Sequence, residues 1–498
     1  MSGRHKYKSN NKRSVYTNES SMLKKLINLL LVCHGLALCA QSSPNLIVIM
    51  TDDLGYNDVG FNGCDDIPTP NIDRIASDGV VFTNGYTSYS VCGPSRAGFM
   101  TGRYGQRFGF ERNPQYRTDD PNMGLPKGEK TIAEHLRSVG YTSGVIGKWH
   151  LGAHISNHPL NRGFDEFFGH LGGGHSYLPE NLILMDSYFT GEEVSIPLGK
   201  DNGRLRHVSA EQASYKTWIM RNHKPVKTSK YLTDEFSDEA VEFIERNQTK
   251  PFFLFLSYNA PHTPLEATPK YLNRFQNIVD KKRKTYAAMV SAVDDGVGQV
   301  LDKLQDLELE NNTIVVFLSD NGGPETKNKS NNGHLRDGKG SIYEGGFRVP
   351  FAMQWKGKVK PQVYDFPVSA LDILGTISSL SNLKIDEDKP LDGVNLIPYL
   401  NGDLSGSPHD YIFLRKFDQK LYTVRDANLK LVVKMDGAKK ELYNLGEDIS
   451  ESNNIAKQYP NEVARLNTVY DTWQNELSDP SFLGLIHTKA WKKKVKKK

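Results

Sequence analysis

The chain has 498 residues, 24% of them charged and 38% hydrophobic, and a net charge of +4. That length supports two domains with a large core, and so small a charge argues against nucleic acid as a partner. Four cysteines, two of them near the N-terminus, leave no disulfide framework in the body of the chain.

The first element is Met22-Leu23-Lys24-Lys25 followed by the mostly apolar run Leu26 to Ala40. A charged start, a short apolar core and small residues near Cys39-Ala40 read as a secretion signal, too short to span a membrane comfortably. Met22 then serves as the natural start. Leu36-Ala37-Leu38-Cys39 approximates a lipoprotein box, although Leu38 is large for its place. A short N-terminal anchor is the other reading. The expectation is an exported protein, periplasmic or secreted, with no stable membrane insertion after cleavage.

The buried-type strand Asn45 to Met50 ends in Thr51-Asp52-Asp53. Thr69-Pro70 opens a helix with a cap and a first-turn proline, and Thr131-Ile132-Ala133-Glu134 is a capping box for another. The strand Thr142 to Ile146 delivers Lys148-Trp149-His150, and the strand Phe252 to Leu256 delivers Asn259-Ala260-Pro261-His262. Met289, Val293, Val297, Val300 and Leu304 recur at helical spacing. The strand Thr313 to Leu318 ends in Ser319-Asp320-Asn321. Residues 153–235 and 324–338, rich in Gly, His, Asn and Lys, read as loops around a pocket rather than sheet. Strands alternating with helices imply an α/β fold with a mostly parallel sheet flanked by helices, which binds ligands beyond the carboxyl ends of its strands. After Asp388 the texture changes to short strands at Tyr411–Leu414, Leu421–Arg425 and Leu429–Lys434, then a helix near Asn461–Leu477. The predicted divisions are an extension and signal (1–41), a catalytic domain (42–387), a smaller antiparallel sheet with a helix (388–485) and a basic tail (486–498).

Cys92-Gly93-Pro94-Ser95-Arg96 places a cysteine at a helix start, because Pro94 suits a first turn. Free N–H groups and the helix dipole favour an anion there, and Arg96, a turn on, can pair with it. Asp52, Asp53, Asp320 and Asn321 offer three carboxylates and one amide oxygen, hard ligands of the kind calcium takes. Either pair alone more often caps a helix or forms a turn. Lys148 and His150 share a side in an extended segment. A Cys64–Cys92 bridge is conceivable and would block any chemistry at Cys92.

Cys92-Gly93-Pro94-Ser95-Arg96 with Thr101-Gly102-Arg103 resembles the sulfatase signature. Gly140-Tyr141-Thr142-Ser143 running on to Gly147-Lys148-Trp149-His150-Leu151-Gly152 resembles the second one. His262, Lys339 in Gly-Lys-Gly, Glu344 to Pro350 and Glu441 to Leu445 match further family patterns in order and spacing. The chain is therefore identified as a member of the formylglycine-dependent type I sulfatases, in the alkaline-phosphatase-like superfamily.

The resemblance implies that Cys92 is oxidised to formylglycine by a formylglycine-generating or anaerobic sulfatase-maturating enzyme. It also implies that the aldehyde hydrate attacks sulfur, and that one calcium ion is held by Asp52, Asp53, Asp320 and Asn321 together with residue 92. Arg96, Lys148 and Lys339 add positive charge, His262 with Lys339 protonates the departing sugar oxygen, and His150 assists the hydrate. An aldehyde lets the sulfated intermediate collapse without a water attack, splitting one hard displacement into two easier steps.

The implied substrate is a sulfated polysaccharide or its oligosaccharides: algal, such as ulvan or carrageenan, or a glycosaminoglycan. His175, Arg204, Arg206 and His207 fall in the variable loops, either as sugar contacts or as solvated residues. Two other readings stand beside this one: a phosphodiesterase or phosphonate hydrolase of the same superfamily, and a glycan-binding homologue with an inactive site.

Overall fold

Among the described residues ten strands form the central sheet. In chain order they are β1 (Asn45–Thr51), β2 (Val80–Phe82), β3 (Thr142–Lys148), β4 (Glu166–His170), β5 (Met220–Arg221), β6 (Lys224–Pro225), β7 (Phe252–Ser257), β8 (Thr313–Ser319), β9 (Phe351–Gln354) and β10 (Gln362–Tyr364). Their spatial order is β10-β2-β9-β8-β1-β7-β3-β4-β5-β6. The run β8-β1-β7-β3-β4 is parallel, whereas β9 runs against β8 and β5 against β4. The structure is a computed structural model that describes residues 1–5, 43–181, 195–196, 206–207, 218–437 and 439–485. The apolar run of the predicted signal and the basic tail 486–498 lie outside the described residues. The chain divides into two units, Met1–Ser43 and Pro44–Lys498, and the described residues of the first have no regular structure.

Parallel strands must be covered on both faces, which is why these segments are continuous apolar runs. Successive side chains of β1 go to opposite cores. Leu46, Val48 and Met50 join one with Phe99 and Met100 of α2 (Cys92–Thr101). Ile47 and Ile49 join the other with Phe236 of α4 (Leu232–Asn247) and Val293 of α5 (Lys281–Asp306). The helix at residue 70 is α1 (Pro70–Ser77), and α3 (Ile132–Arg137) carries the predicted capping box. Thr69 does not cap α1 with its side chain. The Asp294 carboxylate of α5 instead accepts from Asn71 N at 2.9 Å and Ile72 N at 2.8 Å.

The expectation that residues 153–235 lie wholly outside the sheet is overturned, because β4, β5 and β6 extend it there. β4 is five residues long with an internal glycine, and β5 and β6 have two residues each, too short to show a period.

The C-terminal sheet is antiparallel: β11 (Ile412–Lys416), β12 (Leu421–Arg425), β13 (Leu429–Lys434) and β14 (Lys440–Asn444). β14 is an addition to the three predicted strands. One face packs Val424, Leu431 and Leu442 on Leu466, Tyr470 and Trp473 of α6 (Pro460–Gln474). The other packs Ile412, Leu414 and Tyr443 on Tyr86, Tyr89 and Phe347. Among the described residues no helix is long and apolar enough to cross a membrane.

Candidate active site

Register brings the strand tips together. Thr51 pairs with Ser319, and Ser257 with Gly147, so Asp52, Asp320 and Lys148 leave the sheet side by side. At Gly147 φ is +108°, and an added Cβ would lie 1.9 Å from the Ser257 carbonyl oxygen, so only glycine lets β3 deliver Lys148 here. Asp53 (φ 67°) and His150 (φ 60°) both adopt the left-handed conformation that non-glycine residues seldom take. Backbone strain at both points falls where the chain turns into the site.

Cys92 begins α2, and all ten residues of that helix are buried. Val91 cannot cap it, so Asn113 does: its Oδ1 accepts from Gly93 N at 2.8 Å. The Cys92 thiol donates to Asp52 Oδ1 at 3.4 Å. Lys339 Nζ donates to Cys92 Sγ at 3.0 Å and to Asp53 Oδ1 at 2.5 Å. Lys148 Nζ donates to Asp52 Oδ2 at 2.5 Å, and Arg96 Nε to Asp320 Oδ2 at 2.8 Å. Both of these cations are fully buried and lie behind the carboxylates. His262 Nε2 is 3.6 Å from Asp53 Oδ2, and its Nδ1 donates to Thr263 O at 2.6 Å. Tyr177, which sequence reasoning did not single out, fixes this segment by donating to Asn259 O at 2.6 Å and His262 O at 2.7 Å. Neither Asn113 nor Tyr177 belongs to a motif, so no local signal marks them.

A cleft of about 280 Å³ opens on the cluster, and Cys92, Asp53, His150, His262 and Lys339 lie on its wall. The predicted site residues are thus together, although Arg96 and Lys148 do not face the cleft. Cys64 and Cys92 are both free thiols, so no bridge blocks residue 92. His175 is buried, with its ring 5.0 Å from that of His170, rather than solvated. Arg204 lies outside the described residues, and Arg206–His207 form a two-residue strand paired with Ser195–Ile196.

Electrostatics divides the roles. Burial and the Asp52 charge push the Cys92 thiol up to about 12, so its neighbours do not activate it as a thiolate nucleophile. Burial and the same charge push Asp320 up to about 6. Burial opposes ionisation of Asp52 too, but Lys148 leads several cations that hold it well below the usual range. Burial favours neutral Lys339 as well, yet Asp53, Cys92, Asp52 and Asp320 together outweigh it and the ammonium is held well above its ordinary value. Burial keeps His150 neutral, far below its ordinary value, with Lys148 adding to the effect, and it lowers His262.

One ligand atom from each of Asp52, Asp53, Cys92 and Asp320 lies within 4.8 Å of the others. Asn321 Nδ2 donates to Asp53 Oδ1 at 2.8 Å, and its buried Oδ1 has no hydrogen-bond partner among the described residues. Crowded carboxylates with an orphan amide oxygen suit a hard divalent cation.

The sulfatase family profile matches residues 44–383. Steryl-sulfatase of Homo sapiens is 33% identical over 427 residues, covering 75% of this chain and 72% of its own. The N-acetylgalactosamine-6-sulfatase of Mus musculus is 33% identical over 405 residues, covering 77% and 72%. A crystal structure of Ps i-CgsB in complex with k-i-k-neocarrahexaose superimposes with a TM-score of 0.79 at 37% identity, covering 91% of this chain and 97% of that one. A buried acidic cluster at parallel strand tips and these matches lead to one assignment: the chain belongs to the sulfatase family, a sulfuric ester hydrolase with the alkaline-phosphatase-like fold.

Proposed function

We propose that this sulfatase is exported and removes sulfate from a carrageenan-type galactan or its oligosaccharides, using formylglycine made from Cys92 and one calcium ion. The observation that carries the substrate reading is the likeness, over 91% of the chain, to a structure holding a neocarrahexaose. Export rests on the signal-like segment before residue 41.

Asp52, Asp53, Asp320 and Asn321 would hold the calcium, which supplies positive charge against a sulfate oxygen. Formylglycine at position 92 would supply a nucleophilic oxygen that the protonated thiol does not. The remaining work belongs to the chain's own side chains. Arg96 and Lys148 fix Asp320 and Asp52 and offset their charge from behind. His150 is neutral and among the described residues both its ring nitrogens lack hydrogen-bond partners, so it can take a proton from residue 92. His262 holds Nδ1–H on the Thr263 carbonyl, which leaves Nε2 to carry a proton while Asp53 offsets the charge. Lys339 stands protonated beside residue 92. Together Lys339 and His262 deliver a proton to the departing sugar oxygen.

The test is sulfate release from defined carrageenan, ulvan and glycosaminoglycan oligosaccharides, with Cys92→Ala as control and mass spectrometry of the peptide containing residue 92. The expected result is release from carrageenan oligosaccharides, none from Cys92→Ala, and an aldehyde at position 92. Active enzyme whose peptide carries only an intact thiol would sink the formylglycine reading. Release from glycosaminoglycan alone would sink the substrate reading.

A further inference from the structure

Lys416, at the end of β11, is buried with only 5% of its surface exposed. Among the described residues no carboxylate lies within ion-pair distance of it. An uncompensated buried ammonium is costly, so its hydrogen bonds become the question. Its Nζ donates to the carbonyl oxygen of Gly340 and to Ser90 Oγ, the latter at 3.2 Å. Gly340 directly follows Lys339, and Ser90 stands two residues before Cys92. The two segments also meet through their backbones, since Gly340 N donates to Ser90 O at 2.7 Å. Lys416 therefore grips the seam between the chain bearing Lys339 and the chain bearing Cys92. Across that seam Lys339 Nζ stands 3.0 Å from Cys92 Sγ. Ile412 and Leu414, on the same face of β11 as Lys416, pack among Tyr86, Tyr89 and Phe347 and hold this edge of the sheet against the same region.

We infer that Lys416 is a positioning residue for sulfate-ester hydrolysis: from the C-terminal sheet it pins the Lys339 segment against the Cys92 segment and so sets where the Lys339 ammonium stands over residue 92. The inference rests on the assignment of Cys92 and Lys339 to the reaction. A small displacement of a proton donor costs rate without weakening binding of the sugar. The loss should be largest when the departing oxygen needs a proton, as a sugar oxygen does, and smaller for nitrophenyl sulfate, whose leaving oxygen does not.

The experiment compares wild type, Lys416→Met and Ser90→Ala on a sulfated oligosaccharide and on nitrophenyl sulfate. Each rate is divided by the fraction modified at residue 92, and folding is checked by thermal melting. For Lys416→Met the expected result is a kcat lower by about tenfold on the oligosaccharide, a smaller loss on nitrophenyl sulfate, and a KM within about twofold. Ser90→Ala, which deletes one acceptor without leaving a charge, should move kcat the same way by about threefold. A folded Lys416→Met with wild-type kcat on the oligosaccharide, or a loss seen only in KM, overturns the inference. If Lys416→Met does not fold, a wild-type kcat in Ser90→Ala overturns it. Persistent activity in Cys92→Ala would instead sink the site assignment beneath it, so the two failures are distinguishable.

Discussion

Among the described residues one buried charge cluster stands at the strand tips and another where the C-terminal sheet meets the segment after Lys339. In the second, Lys430 Nζ donates to Glu344 Oε1 at 2.8 Å and stands 2.9 Å from Glu451 Oε1. Glu344 Oε2 accepts from Tyr86 and Arg348, and Glu451 Oε2 accepts from Glu344 N at 2.7 Å. Burial would keep Glu344 protonated, but Lys430, Arg425 and Arg348 pull it down to about 2. Among the described residues only Glu451 Oε1 lacks a hydrogen-bond partner in this cluster, and it has the Lys430 ammonium beside it. At the strand tips, by contrast, Asn321 Oδ1, Arg96 Nη2 and both ring nitrogens of His150 have no hydrogen-bond partner among the described residues. Both clusters cost desolvation, yet only the strand tips leave several groups unpaired, with His150 among them on the wall of a cleft. Unspent valence, rather than buried charge as such, separates the site built for a ligand from the joint built for a fold.

The sharpest way to break this comparison is Lys430→Met. It leaves Glu344 and Glu451 buried without their shared cation, so denaturant unfolding should show a loss of about 3–5 kcal/mol. The kcat per folded molecule should change little. An unaltered midpoint would show that the joint does not hold the two regions together.

The next effect belongs to the other cluster. Calcium at about a hundred times its dissociation constant should stabilise the protein by about 3 kcal/mol, and a chelator should reverse this in a melting experiment. Lys430→Met should keep that response, whereas Asp53→Asn should lose most of it. An equal calcium shift in Asp53→Asn would remove the strand-tip carboxylates as the ion's ligands.

The open cluster was far more legible in the sequence than the closed one. Apolar runs that stop at Asp52, Lys148 and Asp320 announce strand tips, and parallel pairing then gathers them without further information. The start of α2 was readable from Pro94. Lys430 and Lys416 were not, because a lysine on a short antiparallel strand ordinarily faces water, and only the packing of that sheet on Tyr86 and Phe347 buries them. β4 was hidden by its length and its glycine. The cap of α1 was hidden by distance, since Asp294 lies 223 positions from Asn71. Local pattern reveals where a strand ends, but not which remote side chain completes the site or closes the core.

The smallest effect concerns the rim of the cleft. Among the described residues on the cleft wall, Lys327 is the one lysine or arginine besides Lys339, and it is exposed. No carboxylate lies within ion-pair distance of it among those residues. A monosulfated sugar gives it nothing to meet once the sulfate is over residue 92, whereas a second sulfate along the chain does. Exposed pairs of this kind contribute about 0.5–1 kcal/mol. Lys327→Gln should therefore raise KM for a disulfated oligosaccharide by about two- to fivefold and leave the monosulfated one unchanged. The penalty should shrink as salt is added, because an exposed pair is screened. An equal rise for both substrates would mean that Lys327 shapes the cleft rather than reading charge, and the unspent valence of this region would then end at the strand tips.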